Sequence, residues 1–157
     1  MNKENKNFIK WFNEVGIADV PSVGGKNAAL GEMYSNLMPL GVNIPDGFAL
    51  TADAYRHFFK TTRLDEKIKA ILADLNTKNL HNLQVRGKKV REAILKETLP
   101  QDLKDIIVKY YAELGEKYGK NLDVAVRSSA TAEDLPGASF AGQQETYLNI
   151  HGIENVL

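Results

Sequence analysis

At 157 residues, 43% hydrophobic and 25% charged, the chain has the length and composition of one ordinary globular domain with a sizeable core. Twenty Lys and Arg balance twenty Asp and Glu, which argues against a nucleic-acid binder, and with no cysteine disulfides, thiolate metal sites and cysteine nucleophiles are excluded. No apolar run approaches the roughly 18 residues of a membrane span, and the polar start MNKENKN is no signal peptide, so the expectation is a cytoplasmic protein with no nucleic-acid and no membrane partner.

In chain order, FIKWFNEVG predicts a first strand over Phe8–Val15. A turn over Asp19–Ser22 leads into VGGKNAALGEMYSNL, where Leu30, Met33 and Leu37 recur at helical spacing. Gly41 and Pro45 punctuate a connection, and GFAL reads as a short buried strand. Thr51 is suited to cap a helix running through Phe59, with Ala54, Tyr55, Phe58 and Phe59 on its apolar face.

The middle of the chain reads as helical. Leu64, Ile68, Ile71, Leu72 and Leu75 form one stripe, and Leu83, Val90 and Ile94 a second. The third, from Leu103 through Ile106, Ile107, Tyr110, Tyr111 and Leu114 to Tyr118, keeps the helical period most closely, with Pro100 at its start and Gly119 at its end. The plain reading of all of these is core packing. Val124, Val126 and Ser128 then alternate with Ala125, Arg127 and Ser129 as a strand does, and ETYLNI, Glu145–Ile150, is expected to pair with it. HGIENVL opens a helix that the chain does not finish, which suggests a piece of a longer protein.

Three stretches carry candidate chemistry. In VGGKNAAL, Gly24 and Gly25 ahead of a helix would let backbone N–H groups approach an anion, with Lys26 adding a point charge. It is no Walker A loop, because Val20 and Asn27 stand where that pattern needs glycine and Ser or Thr; a plain glycine turn with a solvated lysine fits the local pattern too. Arg127 could fork onto phosphate oxygens or pair with Glu133 or Asp134. The loop Ala130–Gly142 is longer than a structural hairpin needs. Its Gly137 and Gly142 allow close backbone approach, and Ser128, Ser129, Thr131 and Ser139 supply donors; an ordinary surface loop remains the alternative. His57, His81 and His151 lack partners at metal-ligand spacing and read as structural or surface residues.

Together, VGGKNAALGEM, PDGFALTADAY and VAVRSSATAEDLPGASFAGQQETYLNI resemble the start of the phosphoenolpyruvate synthase (pyruvate, water dikinase) family, in that family's order. The resemblance implies an α+β fold: the N-terminal subdomain of an ATP-grasp fold, with helices packed on a small mostly antiparallel sheet. Residues 1–157 would be a single domain, the N-terminal fragment of an ATP/AMP-binding, pyruvate phosphate dikinase-type domain. In that family ATP phosphorylates an enzyme histidine on the way from pyruvate to phosphoenolpyruvate.

Carried onto this chain, the resemblance makes Lys26 and Arg127 phosphate contacts and the loop Pro136–Gly142 a flap over the triphosphate. The expected ATP-binding set is Gly24, Gly25, Lys26, Arg127, Ser128, Thr131, Gly137, Ala138, Ser139 and Gly142. Mg²⁺ ligands, the phosphohistidine domain and the pyruvate site are expected outside this chain, which would then hold no catalytic residue and be inactive alone. GGKNA and WFNEV favour the synthase over a rifampicin phosphotransferase or a pyruvate, phosphate dikinase. The alternative from another class is a non-catalytic interaction module that keeps the fold and docks through exposed aromatics such as Tyr110 or Tyr118.

Overall fold

Residues 9–11 and 48–50 pair as an antiparallel ribbon in the computed structural model, which describes residues 8–120, 122–132 and 144–157. In it β1 (Ile9–Trp11) sets Ile9 opposite Leu50 and Trp11 opposite Phe48 of β2 (Phe48–Leu50). The first strand is shorter than the Phe8–Val15 expected from its apolar run. Glu14 Oε2 takes the Trp11 N–H at 2.9 Å and Gly47 O takes the Phe12 N–H at 3.0 Å. The Phe12 N–H bond keeps the β1–β2 register, but the Phe12 carbonyl then accepts locally from Val15 N–H at 3.2 Å, so the ladder ends there and Phe12–Glu14 curls into a 3-10 turn. The turn expected over Asp19–Ser22 is also helical: Pro21 stands in the first turn of α1 (Val20–Val23), where its missing N–H costs nothing.

The described residues form two compact units, 8–54 with those of 102–157, and 55–101. In the first, Phe12, Val15, Val23, Ala28 and Ala49 make a buried cluster, flanked by Val20, Leu30 and Tyr34. α2 (Gly25–Leu37) contributes Ala28 and Gly31 as its buried positions, whereas Met33 is 39% exposed. Of the expected Leu30, Met33, Leu37 stripe, Leu30 packs against this cluster while Met33 does not. Backbone proximity explains why: a Cβ at Gly31 would lie 2.2 Å from the Val15 carbonyl oxygen, so the helix packs through its smallest residues.

α6 (Gln101–Tyr118) buries Leu103, Ile107 and Leu114, as its period predicts. Its Tyr110 stacks on Trp11 at 4.9 Å, and Phe48 meets both rings edge-on. Tyr110 is thus part of the packing and not a free docking residue. Just before β2, Asp46 accepts from Gly47 N–H at 2.8 Å, Tyr118 Oη at 3.2 Å and Lys117 Nζ at 3.3 Å. Lys117 Nζ also lies 4.6 Å from the Trp11 ring centroid, a cation–π contact.

β3 (Asp123–Arg127) and β4 (Thr146–His151) form a second antiparallel ribbon, separate from the first, so the single small sheet expected is two two-stranded ones. Val124 faces Ile150 but Val126 faces Tyr147, which leaves one extra residue on β4. Asn149 absorbs this bulge at φ 56°, a conformation asparagine tolerates. Tyr111 Oη donates to Leu122 O at 3.0 Å and accepts from Gly152 N at 3.1 Å, fastening the ribbon's open end to α6. The last described helix is α7 (Ile153–Val156).

α3 (Ala52–Thr62) leads into the second unit and runs three residues past the expected Phe59. Thr51 Oγ1 accepts from Ala54 N–H at 3.4 Å, the expected cap. Within the unit, α4 (Leu64–Ile71) buries Leu64 completely, while α5 (Leu80–Leu95) has no fully buried residue. Leu83 and Ile94 of the expected second stripe are 41% and 37% exposed. Polar side chains cross between the helical segments instead: Lys67 bonds Glu97 at 2.5 Å and Arg86 bonds Asp74. Among the described residues no helix is long and apolar enough to cross a membrane.

Candidate functional site

Gly24 joins α1 to α2 at φ 81° and ψ 160°, backbone angles essentially restricted to glycine. Space demands glycine as well. A Cβ there would lie 2.2 Å from Ser129 Oγ and 2.8 Å from the Ala130 carbonyl oxygen. The segment leaving β3 is thus seated directly on the turn that starts α2. Ser129 Oγ donates to Val23 O at 3.0 Å, an acceptor it shares with Asn27 Nδ2 at 2.8 Å.

The N–H groups of Gly25, Lys26 and Asn27 precede the first backbone bond of the helix, from Ala28 N to Gly24 O at 3.0 Å. The positive end of the helix dipole adds to them. Lys26 is half-buried, and its Nζ donates to Oε1 of Gln144, two residues before β4. Glu145 is employed elsewhere: its carboxylate accepts from the Tyr147 hydroxyl, and its carbonyl accepts from Ser128 N at 3.3 Å and Ser128 Oγ at 3.4 Å.

Arg127 ends β3 opposite Thr146 and is exposed. Ser129 follows two residues on, so the Arg127 backbone lies within about 7 Å of the residue that touches Gly24. Thr131 lies beyond it, exposed in a turn. The structure therefore brings Ser129 and Ala130 against the Val23–Gly24 turn and Gln144 against Lys26, with Arg127, Ser128 and Thr131 as chain neighbours of that contact. Of the other sequence-derived candidates, Gly137, Ala138, Ser139 and Gly142 lie outside the described residues, as do Glu133 and Asp134.

Two of the linking residues escape local reading. Gln144 gave no sequence signal, because its partner Lys26 is 118 residues away. Ser129 reads as a possible ligand donor, yet its hydroxyl is bonded to the Val23 carbonyl. The histidines are dispersed: His57 within α3, His81 in α5, and His151 at the end of β4. Among the described residues no three His, Asp or Glu side chains converge where a metal ion could be held.

Comparison with known proteins shows the family. The family described as pyruvate phosphate dikinase, AMP/ATP-binding domain, matches residues 20–157. The phosphoenolpyruvate synthase of Aquifex aeolicus is 57% identical over 155 residues, covering 98% of this chain and 18% of the relative. Those of Synechocystis and Helicobacter pylori are 52% and 48% identical, covering 96% and 92% of this chain and 19% and 18% of the relatives. The chain thus spans about one fifth of the length of these curated relatives.

Proposed function

This chain belongs to the pyruvate phosphate dikinase AMP/ATP-binding domain family, and from that membership we propose that it is the ATP-holding part of a phosphoenolpyruvate synthase, its 157 residues forming the N-terminal subdomain of an ATP-grasp fold. The whole enzyme would act in the cytoplasm. It would convert pyruvate, ATP and water to phosphoenolpyruvate, AMP and phosphate, through a phosphohistidine on another domain of the same protein.

The observation that carries this reading is the start of α2: a glycine turn that opens the helix, the half-buried Lys26, and the post-β3 segment seated on Gly24. Phosphoryl transfer asks a protein mainly for positioning and charge neutralisation. Gly24 makes the turn, its own N–H bonded to Val20 O at 2.9 Å; Gly25 would let the backbone that opens the helix approach a phosphate, and Lys26 would supply a compact charge. Arg127 supplies a planar fork matched to two phosphate oxygens. Ser128, Thr131 and the flap residues Gly137, Ala138, Ser139 and Gly142 complete the proposed set. Mg²⁺, held by residues elsewhere in the enzyme, would neutralise the phosphate charge. Pyruvate binding belongs to the other domains as well.

The test is Arg127→Ala in the intact synthase. Pyruvate-dependent formation of AMP should fall by at least about 100-fold, the usual loss on removing a donor to developing charge. Arg127→Lys should recover little of it, since an ammonium cannot fork. Unimpaired turnover by Arg127→Ala would overturn the assignment.

A further inference from the structure

We propose that Gln144 is a positioning residue, whose neutral amide oxygen holds the Lys26 ammonium at the start of α2 without cancelling its charge. The consequence for phosphate binding rests on the ATP-site reading above; the positioning itself rests on the contact between the two side chains.

A lysine ammonium on its four-carbon stem loses much rotamer freedom when fixed, so an ordered Lys26 requires a fixed acceptor. Gln144 supplies one across 118 residues of chain. The chemistry of that acceptor matters. A carboxylate would fix the lysine equally well but neutralise it, and the next residue, Glu145, carries one. The ribbon keeps Glu145 away. Its carboxylate is bonded to the Tyr147 hydroxyl, and its carbonyl receives the Ser128 N–H and hydroxyl.

Pairing of Arg127 with Thr146 sets this register, and Ser129 Oγ on Val23 O ties the register to the helix start. Neighbouring residues entering a strand point to opposite sides. A slip of one residue would bring Glu145 to Lys26 in place of Gln144. The ribbon's register therefore selects the neutral neighbour. Lys26 has a further interaction besides Gln144, so losing the amide should loosen the lysine and not free it entirely.

The test uses the 157-residue chain with lysine ammonium groups followed by NMR, the Lys26 signal being identified by its loss in Lys26→Ala. Gln144→Met keeps the stem and removes the acceptor; Gln144→Glu keeps an acceptor and adds a charge. Inorganic tripolyphosphate is the binding probe. In Gln144→Met the Lys26 signal should broaden into exchange with water, and the tripolyphosphate Kd should rise about tenfold, the effect of losing one hydrogen bond to a charged group. In Gln144→Glu the signal should persist while the Kd rises at least as much.

An unchanged Lys26 signal in Gln144→Met overturns the positioning role. So does an unchanged Kd in Gln144→Met when Lys26→Ala weakens binding. If Lys26→Ala leaves tripolyphosphate binding intact, the ATP-site reading fails, and the ammonium signal alone decides whether Gln144 positions Lys26.

Discussion

Replacing Gly24 by alanine attacks the seat of the site at its most crowded point. The backbone there sits at φ 81° and ψ 160°, where a non-glycine residue costs roughly 1–3 kcal/mol. The added Cβ would lie 2.2 Å from Ser129 Oγ and 2.8 Å from the Ala130 carbonyl oxygen. The hydroxyl can rotate away, giving up its bond to Val23 O at about 1 kcal/mol. The carbonyl is backbone and must shift, an overpacking cost of about 1–3 kcal/mol. The sum is roughly 3–7 kcal/mol, a large part of a typical domain's 5–15 kcal/mol.

Two other glycines calibrate this number. Gly41 also has positive φ, 82°, but open space around it, so Gly41→Ala should cost only about 1 kcal/mol. Gly115 lies inside α6 with nothing near its Cβ position, so Gly115→Ala should stabilise by about 0.5–1 kcal/mol. Urea unfolding of the 157-residue chain, followed by far-ultraviolet circular dichroism, reads all three. With a slope of about 1–3 kcal/mol per molar, the Gly24→Ala midpoint should fall by on the order of 2 M. A Gly24→Ala midpoint equal to that of Gly41→Ala would refute the seating of Ser129 and Ala130 on this turn.

Two predictions concern pH. Hydrogen bonds from Lys10 at 2.6 Å and from the Gly16 N–H at 3.0 Å hold the Asp19 carboxyl below its ordinary 3.8. A lowered folded-state pKa stabilises above the unfolded value and is lost as pH falls through the folded one. Wild type should therefore lose stability more steeply than Lys10→Met below about pH 4, and identical acid limbs in urea titrations would contradict this. Conversely, partial burial and then the Asp46 carboxylate raise the Tyr118 phenol from 10.0 to about 12. Its contribution is present below pH 10 and is lost on rising towards 12. The tyrosinate absorbance difference between wild type and Tyr118→Phe should have its midpoint near 12, lowered only in part by Asp46→Asn; a midpoint of 10 would contradict the assignment.

Periodicity made α2, α6 and the β3–β4 ribbon legible, because each runs long enough for helical or strand spacing to separate from chance. The short apolar stretch from Phe8 to Val15 was not, since the local bonds that curl it after Phe12, from Trp11 N–H to the Glu14 carboxylate and from Val15 N–H to the Phe12 carbonyl, are ones no hydrophobic pattern records. In α5, Leu83 and Ile94 keep the spacing of a core face without being buried. There the pattern reports a capacity to pack, and the helix leaves that capacity partly unused. At the site, the glycines and Lys26 were visible from residue type and their place before a helix. The joints that assemble them were not: Ser129 to Val23 and Lys26 to Gln144 span 106 and 118 residues, and each depends on the register of a distant ribbon.

The central claim is that the start of α2 receives the phosphates of ATP. An amide ¹⁵N NMR titration of the chain with ATP, carried to millimolar concentration, tests it directly, at a binding free energy on the order of 4 kcal/mol. Shifts are expected at Gly25, Lys26 and Asn27 and along Arg127–Thr131, with residues 55–101 unaffected. Shifts that leave Gly25–Asn27 untouched, or that gather on α4 and α5, would contradict it.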